Sequence, residues 1–217
     1  MYKQQFFIRL FWCFLASSLV VVESAEETSI EELLKWEPPA ELTERFPYYL
    51  SGVDNEGAQV WVVDFGKWDN RDIVDAGGQR FQDFKKYVQQ MYTRAAYKNL
   101  KADPSKYSVV IMDWDGFTKE KASHIPGTLA SIDMLRSFEK FARQGGFKRG
   151  FIVNANFLFE TVWRLGKPVL GRLNELVEVF GTNPAKWTPN LLKLIPRDQL
   201  PEKFGGAKGH QYEKVFG

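Results

Sequence analysis

The sequence predicts an α/β fold with a mostly parallel sheet, helices packed around it and a hairpin at one edge. Two short apolar runs, at residues 107–112 and 150–155, are typical of strands that are buried on both faces. Between them, residues 126–144 repeat apolar side chains every three or four positions, which favours a helix. A helix that connects two buried strands places those strands parallel in one sheet. The hairpin is predicted from the turn at residues 54–57.

The remaining elements follow from helix capping and from the spacing of apolar residues. Ser29 and Glu32 match a capping box, so a short helix is expected before Pro38. Apolar residues recur at helical spacing from Phe81 to Ala95, so a long helix is expected there. The full set, in chain order, is a helix at 29–36, strands at 48–53 and 59–65, a helix after Gly78, a strand at 107–112, a helix at 126–144, a strand at 150–155, a helix at 157–170, a strand at 173–180 and a small helix at 190–194.

Composition limits the function classes. The 217 residues, with 44% hydrophobic and 15% aromatic side chains, suit a globular core. The formal net charge is +2 and the basic residues are scattered, so no nucleic acid partner is expected. The single cysteine, Cys13, excludes an internal disulfide and a zinc thiolate site. His124 and His210 lie in unrelated segments, so no metal site and no cofactor are expected.

Residues 1–24 differ in composition from the rest of the chain. Lys3 precedes a mostly apolar run at residues 6–22, and small residues follow. This pattern is typical of a signal peptide, so a secreted protein, in the secretory pathway or outside the cell, is expected. The length of the run also fits an uncleaved membrane anchor at 6–22. The expected organisation is a signal segment at 1–24, a short helical segment at 25–40, one domain at 41–207 and a tail at 208–217.

The stretch VVIMDWDGFT, at residues 109–118, raises a catalytic alternative. An apolar strand that ends in Asp-x-Asp resembles the first motif of the haloacid dehalogenase-type phosphatases, in which the first Asp is a nucleophile and the second a general acid. That motif needs Thr or Val four residues after Asp113, where this chain has Phe117. The Mg²⁺ of that chemistry also needs an acidic pair downstream, and the later aspartates stand alone. The structural alternative is that Asp113 and Asp115 end a strand and shape the next turn.

The chain from Gly150 onward carries a more specific pattern. It reads GFIVNANFLFETVWRLGKPVL, then LVEVFG, then NLLKLIPRDQLPEKFGG. The motifs within it are Asn154-Ala155, Lys167-Pro168-Val169-Leu170, Ile195-Pro196, Leu200-Pro201 and Phe204-Gly205-Gly206. As a set they resemble the CRAL-TRIO lipid-binding domains, the family of retinaldehyde, tocopherol and phosphatidylinositol transfer proteins. The likeness covers about residues 40–206 and accounts for MDWDGFT as a strand end without catalysis.

The resemblance implies a protein that is not an enzyme and that binds a small hydrophobic lipid in an apolar cavity. A mobile gate helix closes such a cavity, and transfer of the lipid between membranes is a further expectation. The implied partners are the hydrophobic lipid ligand and a transient membrane surface, and a monomer is expected. The expected cavity and gate residues are Trp61, Val63, Val110, Met112, Ile152, Phe157, Phe159, Val162, Trp163, Val169, Leu170 and Leu173.

Basic residues beside the gate helix are the expected membrane contacts. Arg164, Lys167 and Arg172 would hold anionic headgroups, and a solvated face is the alternative interpretation. Phosphatidylinositol-binding members of the family carry Pro-Glu-Arg-Met-Gly before the Asn-Ala strand, and here Gly145 and Gly146 take the places of the Glu and Arg. Hydrophobic vitamins, retinoids, sterol precursors and phospholipids therefore all stay open as ligands. A protein-interaction or regulatory module that kept the fold without a ligand, and a Mg-dependent phosphatase, are the alternative functions.

Overall fold

The computed structural model describes residues 30–102, 107–142, 146–171 and 173–216. The chain divides into two units, residues 1–37 and residues 38–217. The described part of the first unit is helix α1 at residues 30–35. The expected signal segment at 1–24 lies outside the described residues. Within the described ranges, no helix combines the length and the apolar character that a bilayer span requires.

The second unit contains a six-stranded mixed sheet in the order β5-β4-β3-β2-β1-β6. The strands are β1 (Tyr48–Val53), β2 (Gln59–Val63), β3 (Ser108–Asp113), β4 (Phe147–Val153), β5 (Val177–Val179) and β6 (Lys214–Phe216). Strands β2 to β5 pair in parallel, and β1 pairs antiparallel with both β2 and β6. The predicted α/β class is therefore confirmed. The β1–β2 hairpin lies one strand in from the edge, because β6, from the expected tail at 208–217, covers β1.

The helices of this unit are α2 (Ala40–Arg45), α3 (Arg71–Ala76), α4 (Gly78–Ala102), α5 (Lys119–Ser123), α6 (Ile125–Phe141), α7 (Phe157–Gly166), α8 (Leu173–Leu176) and α9 (Pro184–Leu194). Short 3₁₀ turns lie at Lys167–Leu170, Arg197–Gln199 and Glu202–Phe204. Side chains cap three of the helices. His124, Asn156 and Asn183 accept hydrogen bonds from free backbone N–H groups at the starts of α6, α7 and α9. These caps fix where the helices that surround the sheet begin.

Two of the predicted elements differ clearly from the structure, and α2, α3, α5 and β6 were not predicted. Residues 173–180 were predicted as one strand, and they form α8 followed by the short strand β5. Their sequence, LNELVEVF, has too few residues for the apolar spacing to separate a helix from a strand. The last helix begins at Pro184 rather than at residue 190. The start signal was an asparagine N-cap at Asn183 followed by proline at the first helical position.

The pleat of the strands gives the sheet two different faces. Trp61 pairs with Val110, and Val63 pairs with Met112, so these four side chains share one face, which we call the cavity face. The alternate residues form the opposite face, which packs against α9 and the turns that follow it. We call it the filled face. Its buried core consists of Val60, Val62, Val109, Ile111, Phe151, Val153, Trp187, Leu191, Ile195, Leu200 and Phe204.

Candidate functional site

An apolar cavity of about 100 Å³ lies on the cavity face of the sheet. Met112 and Ile152 border it from the sheet, and side chains of α4, α6 and α7 enclose it. A second cavity of about 40 Å³ lies beside it, with Trp61, Val63 and Val110 in its lining. The side chains common to both cavities are Phe65, Tyr92, Met112 and Leu135. The two spaces therefore adjoin along the cavity face.

The structure brings most of the predicted lining residues to these two cavities. They are Trp61, Val63, Val110, Met112, Ile152, Phe159, Val162 and Trp163. Phe157 lies instead on the outer surface of α7 and is 75% exposed, because two residues turn a helix by about 200° away from Phe159. Leu173 is buried in α8 and is absent from the described lining of either cavity. The side chains of Val169 and Leu170 lie outside the described part of the chain. Whether the lining binds a ligand stays a prediction.

Helices α4 and α6 contribute lining residues that the sequence alone does not reveal. Tyr92 and Leu135 border both cavities, and burial raises the pKa of Tyr92 above its usual value. Their spacing marks them as inward-facing helix residues, but spacing cannot separate a residue in a packed core from one beside a space. Polar lining residues carry no sequence motif and come together only in the fold. They are Asn70, Lys121, Thr128 and Ser131.

Lys121 is the only formally charged residue among the described residues that line the larger cavity. Its Nζ donates hydrogen bonds to the backbone carbonyls of Gly66, at 2.6 Å, and Gly116, at 3.1 Å. Burial lowers the pKa of Lys121, the charge of Asp69 opposes this, and the charge of Arg71 adds to it. The burial effect prevails, so the pKa of this ammonium lies below its usual value. An apolar cavity with a cation in its wall favours ligands that carry an acceptor.

Helix α7 closes the larger cavity with its inner side. Phe159 is buried there, with its ring centroid 4.5 Å from that of Trp114 and 5.6 Å from that of Trp163. Gly166, the last residue of the helix, lies directly against Leu135 of α6. The aromatic contacts and the close approach at Gly166 hold α7 over the cavity.

The outer side of α7 combines apolar and basic side chains. Leu165 is 63% exposed, and Phe157 is exposed at the start of the helix. Arg164 and Lys167, two of the three predicted headgroup contacts, are also exposed. The third, Arg172, lies outside the described residues. This surface has the composition of a membrane-contacting helix face, and its contact with a membrane stays a prediction.

The first acid of MDWDGFT takes part in structural bonds. The Oδ1 atom of Asp113 accepts hydrogen bonds from the backbone N–H of Asp115, at 3.0 Å, and from the amide of Asn154, at 2.8 Å. Its Oδ2 accepts from Lys203 Nζ at 3.2 Å, and the same ammonium donates to Asp64 at 2.6 Å. Burial alone would lower the pKa of Lys203, but the bond to Asp64 and the two carboxylate charges raise it. Asp113 thus joins β3 to the segment after β4 and to the C-terminal turn, which supports its structural interpretation.

Comparison with known proteins assigns the family. The sequence profile of the CRAL/TRIO domain matches residues 43–206. The chain therefore belongs to the CRAL/TRIO domain family, and the predicted resemblance is confirmed. The crystal structure of Sfh5 aligns with 83% of this chain and 64% of its own chain, with a TM-score of 0.52 and 16% sequence identity. At that identity the likeness shows a shared fold alone.

Two curated relatives show how far the similarity extends. The SEC14 cytosolic factor of Kluyveromyces lactis is 25% identical over 194 residues, which are 85% of this chain and 60% of that protein. The phosphatidylinositol/phosphatidylcholine transfer protein SFH9 of Arabidopsis thaliana is 25% identical over 194 residues, 85% of this chain and 32% of that protein. The chain thus spans at most 60% of the length of these two relatives.

These relatives contradict the predicted location. The matching proteins of Kluyveromyces lactis, Yarrowia lipolytica and Eremothecium gossypii are all named SEC14 cytosolic factor. The prediction of a secretory or extracellular location, with anchoring through residues 6–22 as its alternative, is therefore wrong. It depended on an apolar run behind one basic residue, and that composition alone does not identify a targeting segment.

Proposed function

We propose that the chain binds a small hydrophobic lipid in the two adjoining cavities and carries it between membranes without enzymatic chemistry. The observation that supports this function is the apolar space on the cavity face of a CRAL/TRIO domain. Its lining is mainly aliphatic and aromatic with a few polar groups at one side, as in sites for hydrophobic ligands. The name of the relative SFH9, a phosphatidylinositol/phosphatidylcholine transfer protein, also favours a lipid as the cargo.

The energetics of lipid transfer set what such a cavity must do. A 16-carbon chain gains roughly 12 kcal/mol when it leaves water, at ~0.8 kcal/mol for each CH₂. A bilayer already provides that gain, so the cavity only has to match hydrocarbon, and selectivity depends on shape and a few polar groups. The slow step is passage through water. A gate that opens against the membrane would avoid that passage.

Helix α7 is the element we propose as the gate. The cavities, of about 100 Å³ and 40 Å³, are smaller than the roughly 300–1,000 Å³ of typical ligand sites, so a lipid enters only when an enclosing element moves. The inner side of α7 borders the larger cavity, and the helix ends at a 3₁₀ turn that contains Pro168. Gly171 follows with a φ of 46°, a conformation that favours glycine. This break in helical hydrogen bonding is the proposed hinge.

The outer side of α7 is the proposed membrane contact. Phe157 and Leu165 would enter the interface, and each basic residue beside them would add about 1 kcal/mol on an anionic surface. Charge reversal at Arg164, Lys167 and Arg172 should therefore slow lipid transfer between phosphatidylcholine vesicles that contain phosphatidylserine, with lipid binding unchanged. The matched control is charge reversal at the exposed Lys186, Lys193 and Lys208, which should leave transfer unchanged. Equal transfer by both triple variants would exclude this membrane role.

Ligand binding is tested by native mass spectrometry of the full chain, with the co-purified lipid extracted and identified. Ser131 borders the larger cavity, and Ser137, on the same helix, is exposed. Ser131→Leu should fill the cavity and reduce bound lipid at least 10-fold, a loss of about 1.4 kcal/mol in binding. Ser137→Leu should keep the lipid of the wild type. A protein that is empty, and stays empty after exposure to retinoid, tocopherol, sterol and phospholipid, would contradict the proposed function.

The small volume of the cavities supports a second candidate function. A protein-interaction or regulatory module that kept the fold without a ligand would have this space largely filled by its own side chains. If the chain has that function, it should take up no lipid of any class. Its partner should bind the wild type and Ser131→Leu equally well. The mass-spectrometry experiment therefore separates the two functions.

A further inference from the structure

The combined cavity space has one polar end. Lys121, Asn70, Thr128 and Ser131 all line the larger cavity. Asn70 and Ser131 meet at Gly127, the residue before Thr128. The Oδ1 atom of Asn70 is 3.1 Å from the point that a Cβ on Gly127 would occupy, and Ser131 Oγ donates to the Gly127 carbonyl at 2.9 Å. Lys121 lies on α5, which directly precedes α6, the helix that carries Thr128 and Ser131.

The opposite end of the space is apolar. The smaller cavity is lined by aliphatic and aromatic side chains, and its described lining includes no formally charged residue. Tyr92 and Leu135 border both cavities, so a chain that starts beside Lys121 reaches the smaller cavity along them. A ligand with one charged head and one apolar chain matches this arrangement.

The ammonium of Lys121, at the polar end, has one hydrogen-bond donor to spare. An ammonium has three N–H groups, and Lys121 uses two of them on the Gly66 and Gly116 carbonyls. In the described part of the chain no carboxylate forms an ion pair with it, and the charge of Asp69 acts on it without a direct bond. An anionic head group would accept a hydrogen bond from the third N–H.

We infer that this cavity takes a single-chain amphiphile whose anionic head, a carboxylate or a phosphate, binds Lys121 and whose chain extends toward the smaller cavity. A neutral head would bring no counter-charge to the lysine, which has no ion-pair partner in the described part of the chain. Both cavities must enlarge to admit a lipid, and one chain needs a smaller enlargement than two. The inference rests on the proposed function, because it requires a cavity that admits lipid.

The head preference is tested by calorimetric titration of the full chain with oleate and oleoyl lysophosphatidate below their micelle concentrations, and with methyl oleate below its solubility limit. At least one anionic amphiphile should bind about 10-fold or more tightly than methyl oleate, as a charge-assisted hydrogen bond predicts. The stronger of the two anionic ligands identifies the carboxylate or the phosphate as the preferred head. Lys121→Met should abolish the preference, and Lys121→Arg should keep it. The matched control is Lys119→Met, an exposed lysine on the same helix, which should also keep it.

The ratio of anionic to neutral affinity separates head binding from a structural role of Lys121. Loss of its bonds to the two carbonyls would weaken all three ligands together and leave the ratio unchanged. An unchanged ratio in Lys121→Met, or equal affinities in the wild type, would overturn the head inference and leave lipid binding intact. Failure of all three amphiphiles to bind would overturn the inference together with the proposed function.

The orientation of the chain is tested at Ala95, which lines the smaller cavity. Ala95→Leu should fill that space and weaken oleate about 10-fold or more, at roughly 1.4 kcal/mol per tenfold, while the shorter laurate keeps its affinity. Equal effects on laurate and oleate would overturn the proposed orientation.

Discussion

The two faces of the sheet use the same strands, yet one packs against α9 and the turns that follow it, and the other borders the two cavities. On the filled face, α9 brings Trp187 and Leu191 onto the sheet, and both are fully buried. On the cavity face, α6 brings Gly127, Thr128 and Ser131 toward the strands, and these small residues line the larger cavity. The strand residues are apolar on both faces. The comparison therefore shows that the covering helices, and not the strands, decide where the space lies.

The largest expected effect is the difference between two tryptophans, one on each face. Trp187 is 1% exposed and packs within the filled core, so Trp187→Ala should lower the free energy of unfolding by about 3–5 kcal/mol. Trp163 is half-buried and borders the cavity, so Trp163→Ala removes fewer contacts and should cost about 1–2 kcal/mol. Urea denaturation of both variants measures the difference. Equal losses would mean that the two faces are equally well packed.

The next effect concerns Asp113, which holds the C-terminal turn over the filled face. Asp113→Ala leaves Lys203 and Asn154 without this acceptor and should lower the free energy of unfolding by about 2–3 kcal/mol. The control is Asp115→Ala, since Asp115 is exposed, and it should change stability by less than about 0.5 kcal/mol. Both are measured by urea denaturation. A Mg²⁺-dependent phosphatase activity that Asp113→Asn removes would instead support the catalytic alternative.

The fall in stability at alkaline pH tests whether water reaches a tyrosine on the cavity face. Burial raises the pKa of Tyr48, beside the smaller cavity, to about 12 against the opposing charge of Arg94. Burial likewise raises the pKa of Tyr212, which packs against the filled face, to about 12. An unfolded tyrosine ionises near pH ~10. The stability that each phenol contributes is therefore complete below about pH 10 and is lost as the pH rises through about 12. The loss is roughly 2 kcal/mol for the buried Tyr48 and smaller for Tyr212, because solvent screens its partly exposed phenol.

Tyr48→Phe and Tyr212→Phe should each flatten the fall in the free energy of unfolding between about pH 10 and pH 12. Urea denaturation at a series of alkaline pH values measures the slope, and tyrosinate absorbance follows the ionisation. If only Tyr212→Phe flattened the curve, the phenol of Tyr48 would be hydrated. The cavity face would then hold water, and the contrast between the faces would be one of hydration as well as packing.

The sheet could be predicted from the sequence, because strands that are buried on both faces are continuous apolar runs. Their side chains point to opposite faces in turn, with a two-residue repeat. Residues 107–112 were expected as a strand, and β3 is Ser108–Asp113. The same repeat places Trp61, Val63 and Val110 on one side, where the structure has them. The three-residue strand β6 could not be predicted, because so short a segment has no measurable repeat.

The polar end of the candidate site could not be predicted, because it depends on contacts between distant segments. Asn70, Lys121 and Ser131 come from three separate parts of the chain, and none belongs to a motif. Phe157 is a residue that the sequence placed wrongly in the candidate site. Its apolar character and position in a gate-like helix suggested the cavity, but the rotation of α7 places it on the outer surface. Helix rotation is set by tertiary packing, which the local sequence does not encode.

The smallest expected effect is at Gly166, where α7 lies against α6. A Cβ at this position would lie 3.3 Å from Leu135 Cδ1 and 4.0 Å from Ile132 Cγ1. Leu135 borders both cavities, so its methyl group has space into which it can shift. Because alanine is favoured over glycine within a helix by about 0.5–1 kcal/mol, Gly166→Ala should raise the free energy of unfolding by about 0.5 kcal/mol.

Gly171→Ala is the control and should lower it by about 1 kcal/mol, because its φ of 46° strains any residue with a Cβ. If Gly166→Ala were instead destabilising, Leu135 would be held as rigidly as the filled core. The cavity face would then lack the freedom that the proposed opening of α7 requires.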